Sequence, residues 1–440
     1  MNTNTKDIQL QEEGKLQIAE AFASVIGYES VKQELYQLCD SLKNPSKYQK
    51  LGTKSPKGLL LHGEPGLGKT LMANCFISAL GRKTFICRKD SSNGKFIDYI
   101  KKIFEDADKN TPSLIFLDDM DKFANEDANH RNAEEYVTIQ SMIDTYKNKD
   151  IFVIATVNDM FSLPTSLIRV GRFDKTIEIK APKGKDAVDI VKYYISQKNY
   201  VAELDFEEIA KILDGRSCAE LESVINEAGI IAGYQNKEKI DMDDMINACL
   251  RVIFDAPQDQ SFLTPTRRKM VAIHEAGHAI VQEMLEPNST NLVSILCTSG
   301  TCAGITSYLQ HDDYWLDIKY MENRIKCLLA GRAATEIKLG TVDTGAGQDI
   351  DRAFAIAERI VTKYNNSGFD KITFTNRMSE NFLQRKENEI FSQMNQYYQQ
   401  TKKLILDNIE FLDKIIEQLL EKETLLRKDI QEIKNNKTLA

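Results

Sequence analysis

The chain has 440 residues, of which 42% are hydrophobic and 28% charged, with a formal net charge of −8. That length is more than one hydrophobic core organises and implies two or three domains. The acidic balance excludes an overall basic field for nucleic acid, no stretch approaches the ~18 apolar residues of a membrane span, and the polar start excludes a secretory signal peptide. Eight cysteines without a Cys-x-x-Cys pair read as free thiols of a reducing, cytoplasmic protein. Cys297 and Cys302 lie near each other but do not read as a metal site.

In chain order, residues 1–21 read as a polar, solvated leader. Across 22–183, short apolar runs alternate with amphipathic stretches: Gly58-Leu59-Leu60-Leu61, Leu114-Ile115-Phe116-Leu117 and Ile151-Phe152-Val153-Ile154-Ala155. Such runs predict buried parallel strands, hence a doubly wound α/β domain. Gly63-Glu64-Pro65-Gly66-Leu67-Gly68-Lys69-Thr70, after a predicted strand and before a helix, has the form of a P-loop. Its glycines let backbone N–H groups close on phosphates, and the helix N-terminus adds partial positive charge. Lys69 is expected to reach the β- and γ-phosphates of ATP, and Thr70 to hold Mg²⁺.

The strand Leu114–Leu117 ends in Asp118-Asp119, the form of a Walker B site, with Asp118 on Mg²⁺. Asp119 stands where a residue polarises the attacking water. An aspartate there falls short of glutamate's reach by about an ångström, and catalysis is sensitive to such misplacement. Hydrolysis is expected, at full or reduced rate, with a hydrolysis-dead, nucleotide-locked domain as the alternative. Asn158 forms the polar tip of the next strand, Val153–Val157, and could orient water near the γ-phosphate. Arg169-Val170-Gly171-Arg172-Phe173-Asp174 places two guanidiniums near a turn.

Residues 184–254 read as wholly helical and suggest a small helical subdomain; the polar stretch 255–263 reads as a linker. A third domain is expected over 264–440. Thr264 before Pro265 predicts a helix start, and Pro287 marks its end. That helix carries His274-Glu275-Ala276-Gly277-His278. Histidines at i and i+4 share a helix face and can hold one Zn²⁺, while the intervening glutamate reaches a water and takes its proton, the core of a zinc peptidase. Ala303–Tyr308 has strand character and would suit an edge strand that aligns a substrate backbone. Ile405, Ile409, Leu412, Ile416, Leu419, Leu426, Ile430 and Ile433 follow 3-4 spacing. They imply a coiled coil or, more simply, two helices packed on the domain.

With these motifs in this order, the chain resembles the cytosolic part of the FtsH family of AAA+ zinc metalloproteases, from about Phe22 to near the C-terminus. The resemblance implies an α/β AAA+ domain with a helical lid, followed by a mainly helical zinc metallopeptidase domain. It implies that Asn158 acts as sensor 1, and that Arg169 and Arg172 are arginine fingers reaching a neighbouring subunit's nucleotide in a homo-hexamer. It implies a third zinc ligand in Asp343-Thr344-Gly345-Ala346-Gly347-Gln348-Asp349-Ile350, at Asp349; the residues alone leave Asp351 and Glu336 open. The implied function is an ATP-dependent zinc endopeptidase that feeds unfolded or damaged proteins into a peptidase ring. The alternatives are an ATP-gated peptidase with weak hydrolysis and a chaperone or scaffold ring. Three features depart from the family. This chain lacks membrane-spanning segments, Asp119 replaces the usual residue, and the pore-loop stretch Ser91–Phe96 has no aromatic at the expected place, though Phe96 is close.

Overall fold

A computed structural model describes residues 16–89, 95–123, 133–169, 171–256, 264–296, 304–309, 317–342, 344–364 and 380–435. The chain divides into two compact units: one reaches to Val201 and includes Gly215–Ile225, and the other comprises Ala202–Asp214 and Asn226 onward.

The first unit is built on strands β1 (Gly58–His62), β2 (Lys83–Cys87), β3 (Ser113–Leu117), β4 (Ile151–Val157) and β5 (Lys175–Glu178). They form one parallel sheet in the order β2-β3-β4-β1-β5. Strands β3 and β4 are buried along their whole length, as is β1 up to Leu61. This is why they read as unbroken apolar runs rather than alternating ones. Each fully buried leucine among Leu59, Leu60 and Leu61 contributes about 1.5–3 kcal/mol relative to exposure. Helices α1 (Glu29–Lys43), α2 (Lys69–Leu80), α3 (Phe96–Asp108) and α4 (Ala133–Thr145) accompany the sheet. Ile100, Phe104 and Ala107 of α3 share a core with Ile115 and Leu117 of β3.

One expectation is corrected here. Residues 16–21 are helical rather than a solvated leader, because Ile18 and Phe22, one turn apart, are both buried. Phe22 packs edge-on to Tyr36 at 5.2 Å. Phe96 opens α3 and is buried against Phe123, with ring centroids 5.2 Å apart, so it is a core residue and offers no exposed aromatic. Ser91–Gly94 and the linker from 257 to 263 lie outside the described residues.

The stretch expected to be helical holds α5 (Gly184–Ser196), α6 (Phe206–Ile212), α7 (Cys218–Tyr234) and α8 (Met242–Phe254). Caps fix the helix starts. Asp205 accepts the Glu208 N–H at 3.0 Å on α6, and Asp241 and Asp244 cap each other reciprocally on α8.

The second unit goes on through α9 (Pro265–Leu285), β6 (Thr290–Ser294), β7 (Ile305–Tyr308), α10 (Ile318–Leu339), α11 (Gly347–Glu358), α12 (Glu380–Leu406), α13 (Ile409–Lys422), β8 (Thr424–Leu426) and α14 (Arg427–Asn435). Thr264 caps α9 through the Arg267 N–H, with Pro265 in the first turn. Strands β7, β6 and β8 form an antiparallel sheet in that order, with β7 at one end. Small residues let α9 and α10 approach closely: a Cβ on Gly277 would lie 2.6 Å from the Ala330 carbonyl oxygen. The apolar stripe near the C-terminus is core. Ile405, Leu412, Leu419 and Ile430 pack in one cluster with Ile273 and Ile280 of α9. The stripe folds as separate helices with a short strand between them, because Glu423 adopts a left-handed φ of 64° that ends α13.

Candidate functional site

The strand order of the first unit assembles its site. Adjacent strands β3, β4 and β1 end at Leu117, Val157 and His62, so Asp118-Asp119, Asn158 and the Gly63–Thr70 loop emerge side by side. In open α/β sheets ligands bind at these carboxyl ends. The loop needs its glycines. Gly63, Gly66 and Gly68 have φ of 144°, 78° and 84°, and a Cβ on Gly63 would strike the Ile179 carbonyl oxygen at 2.0 Å. Leu67 anchors the loop in the core, while Glu64 and Pro65 are exposed.

Lys69 donates to the carbonyls of Gly63 and Glu64, both at 2.7 Å, and so spans the loop. Burial pushes its ammonium below the ordinary value, against the pull of the Asp119, Asp121 and Asp118 carboxylates. Thr70 Oγ1 donates to Asp118 Oδ1 at 3.0 Å. Two neighbouring ligands of octahedral Mg²⁺, each at about 2.0–2.1 Å, stand roughly 2.9 Å apart, so this pair fits the ion. Asp118 is 1% exposed. Burial pushes its carboxyl up, but hydrogen bonds from Arg88, Thr156 and Thr70 outweigh it and hold it below the ordinary carboxylate range.

Asp119 has φ 51°, its N–H donates to Thr156 Oγ1 at 2.9 Å, and its carboxylate accepts from Lys122 at 2.6 Å. Asn158, Lys69 and Asp119 line one cavity of about 680 Å³, which Tyr28, Tyr194 and Cys218 extend. Tyr28 donates to the Lys180 carbonyl at 3.0 Å, and burial pushes its hydroxyl strongly up, so it stays protonated.

The two arginines differ. Arg172 is held by Asp144, its Nε donating to Oδ1 at 3.0 Å and its Nη2 to Oδ2 at 2.7 Å, and it also donates to the Ser166 carbonyl. Arg169 is exposed.

In the second unit His274 and His278, one turn apart on α9, bring their Nε2 atoms to 3.0 Å. Asp349, in the first turn of α11, places Oδ2 3.5 Å from His274 Nε2 and 3.2 Å from His278 Nε2. Tetrahedral zinc with bonds of about 2.0–2.1 Å needs ligand atoms roughly 3.3 Å apart, so the set fits the metal. Among the described residues this trio is the one His/Cys/Asp/Glu group of three that could hold a metal ion. Burial pushes the Asp349 carboxyl up, but the two imidazoles outweigh it and hold it far below the ordinary range. His278 Nδ1 sits 2.8 Å from the carbonyl of buried Cys327 on α10. As donor to that carbonyl, Nδ1 leaves the Nε2 lone pair for a metal. The approach depends on Gly331, where a Cβ would stand 2.4 Å from His274 Nε2.

Glu275 is 6% exposed and accepts from Thr306 Oγ1 of β7 at 2.7 Å through Oε2. A Cβ on Gly304 would lie 2.9 Å from Glu275 Oε1. These groups line a cavity of about 750 Å³. Two imidazoles, a carboxylate and an adjacent base make a zinc hydrolase's donor set.

Comparison with known proteins gives the same division of labour. The profile of the ATPase family associated with various cellular activities (AAA) matches residues 59–181, that of the AAA+ lid domain 203–247, and that of Peptidase family M41 261–433. The chain is 33% identical to ATP-dependent zinc metalloprotease FtsH of Caldicellulosiruptor bescii, over 94% of this chain and 71% of the relative. The chain belongs to the FtsH family. It is 32% identical to FtsH 2 of a Thermoanaerobacter species, over 93% of this chain and 82% of the relative. Against FtsH 2 of Phytoplasma mali it is also 32% identical, over 94% of this chain and 63% of that relative's length. No described helix is long and apolar enough to cross a membrane.

Within this FtsH-family chain, Asp349 meets both histidines, whereas Asp351 is exposed and Glu336 is engaged by Tyr398 and by Lys402 at 2.9 Å. Several polar groups were not singled out from the sequence: Arg88 and Thr156 on Asp118, Thr306 on Glu275, and the Cys327 carbonyl on His278. Thr156 carried a signal, being the one hydroxyl in an otherwise apolar buried strand. The Cys327 carbonyl carried none, since any residue supplies a carbonyl.

Proposed function

We propose that this chain is an ATP-dependent zinc endopeptidase. His274, His278 and Asp349 would hold the zinc, and Glu275 would act as general base. The observation that supports this reading best is the convergence of the three ligand atoms within 3.0–3.5 Å, with Glu275 one residue from His274. Bound zinc supplies Lewis acidity, which polarises a carbonyl and acidifies water. Thr306 holds Glu275 Oε2, so Oε1 takes the proton of the attacking water and returns it to the leaving amine. Asp349 balances charge and, with the Cys327 carbonyl, keeps the imidazoles in register. Among the described residues, strand β7 lies at one end of its sheet and offers an edge along which an extended substrate can pair.

The AAA domain would bind ATP with Lys69 on the phosphates and Thr70 and Asp118 on Mg²⁺. Exposed Arg169 suits a finger that completes a neighbour's site in a homo-hexameric ring, through which unfolded or damaged proteins are fed. Free, mostly buried cysteines suit a reducing cytoplasm. A second reading is favoured by Asp119, whose carboxylate is engaged by Lys122 at 2.6 Å. In it, hydrolysis is weak and ATP binding alone switches the peptidase on.

The test is degradation of an unstructured protein by the zinc-loaded chain with ATP, with a non-hydrolysable analogue, and without nucleotide. Degradation with ATP alone supports the coupled machine. Equal rates with ATP and analogue select the switch. No cleavage in any arm, or normal cleavage by Glu275→Gln, rejects the peptidase assignment.

A further inference from the structure

The peptidase cavity has a wall residue that the hydrolytic machinery does not use. Arg324 lies on α10 one turn before Cys327, and its guanidinium carbon sits 3.8 Å from the centroid of the Tyr308 ring. Tyr308 ends β7, the strand whose Thr306 holds Glu275. Arg324 thus stacks on the edge strand and, like His274, His278 and Asp349, lines the cavity of about 750 Å³. Burial pushes its guanidinium down from the ordinary value.

Stacking on a ring satisfies one face of a guanidinium and leaves the N–H groups at its edges. Among the described residues, Arg324 has no hydrogen bond or ion pair to occupy them. A half-desolvated cation with unfilled donors is costly unless something completes it. The carboxylates of the cavity are already engaged, Glu275 by Thr306 and Asp349 by the two imidazoles. Arg267 and Arg352 line the same cavity, which adds to its positive field. A planar fork of donors matches a carboxylate, which it can grip with two parallel bonds.

We propose that Arg324 is the anchor of a substrate subsite that takes an acidic side chain close to the scissile bond. Resting on the peptidase reading above, the subsite gives the enzyme a preference for segments carrying Asp or Glu at one position. Arg324 is a specificity-determining residue, and Tyr308 fixes the plane in which it offers its donors.

The experiment uses the full zinc-loaded chain with Mg-ATP and a set of short quenched peptides. The peptides are identical except for one Glu walked along the positions flanking the cleaved bond, each paired with its Gln counterpart. At one position, Glu is expected to raise kcat/KM roughly tenfold over Gln, mainly through KM, as for one charge-assisted hydrogen-bonded contact. The advantage shrinks with added salt. In Arg324→Gln the Glu-to-Gln ratio falls to about one, and Arg324→Lys keeps part of it. Zinc content and melting temperature are measured on each variant, so a collapsed site is distinguished from a lost subsite. The proposal is overturned if no position favours Glu in the wild type. It is equally overturned if the preference survives in Arg324→Gln, or if that variant loses both peptides in equal proportion. If the wild type cuts no peptide at all, the peptidase reading fails and the subsite falls with it.

Discussion

Arg172 grips Asp144 with two hydrogen bonds, at 3.0 and 2.7 Å. The side chain of Arg172 is 14% exposed and that of Asp144 49%. Arg172 is therefore committed locally, whereas Arg169, on the same turn, is exposed. Arg169→Ala is expected to cut ATP turnover by about three orders of magnitude, as for a lost arginine finger, with the melting temperature unchanged. Arg172→Ala should instead cost about 1 kcal/mol, a value already reduced for the solvent screening of Asp144, and lower the melting temperature by a few degrees. Turnover assays beside thermal melts decide it. The reverse pattern would make Arg172 the finger.

The same pair predicts a pH dependence. Hydrogen bonds from Arg172 hold the Asp144 carboxyl below the ordinary range. The folded chain then binds that proton less readily than the unfolded chain. Its contribution is present above about pH 3.9, the ordinary aspartate value, and is lost as pH falls through the folded value. The stability gap between the wild type and Asp144→Asn should narrow below pH 4. A gap equal at pH 6 and pH 3 would show that the ionised pair adds nothing.

Gly331→Ala tests how the metal site is spaced. Alanine is the better helix former, so α10 itself should gain. Its Cβ, however, would stand 2.4 Å from His274 Nε2. Zinc affinity is expected to fall tenfold or more while helical content holds. Competition with a coloured chelator measures it, and undiminished affinity would mean the imidazole has another position to take.

Thr306→Val removes the hydroxyl that bonds Glu275 at 2.7 Å while keeping the branched shape. One hydrogen bond to a charged group is worth about 1.5–3 kcal/mol, so kcat should drop roughly ten- to a hundredfold with zinc content intact. A change confined to KM would move Thr306 from the base to substrate alignment.

What the sequence disclosed was local. The glycine-rich loop is a run of neighbours, and the two histidines stand one helical turn apart, so spacing alone carries the chemistry proposed for them. The sheet was legible because parallel strands buried on both faces leave unbroken apolar runs. Asp349 needed a resemblance, since nothing local separates it from Asp351; only the packing of α11 on α10, which brings Asp349 to the two histidines, does. Arg88 on Asp118 and Arg324 on Tyr308 were invisible for the same reason: each meets its partner only when distant elements converge. Phe96, close to the place expected for a pore-loop aromatic, was undecided by the sequence for that reason too, since only the core around Phe123 reveals which way it faces.

Cys327 gives its carbonyl to His278 but withholds its sulfur. Burial pushes the thiol up to about 12, so at neutral pH it carries almost no thiolate. Thiolate is the form that binds metals and reacts with oxidants. A sulfur that lines the cavity thus rests in its protonated, unreactive form, beside the candidate metal ligands but poorly open to oxidation. The fold has insulated its peptidase chemistry from sulfur chemistry with nothing more than the packing of one helix.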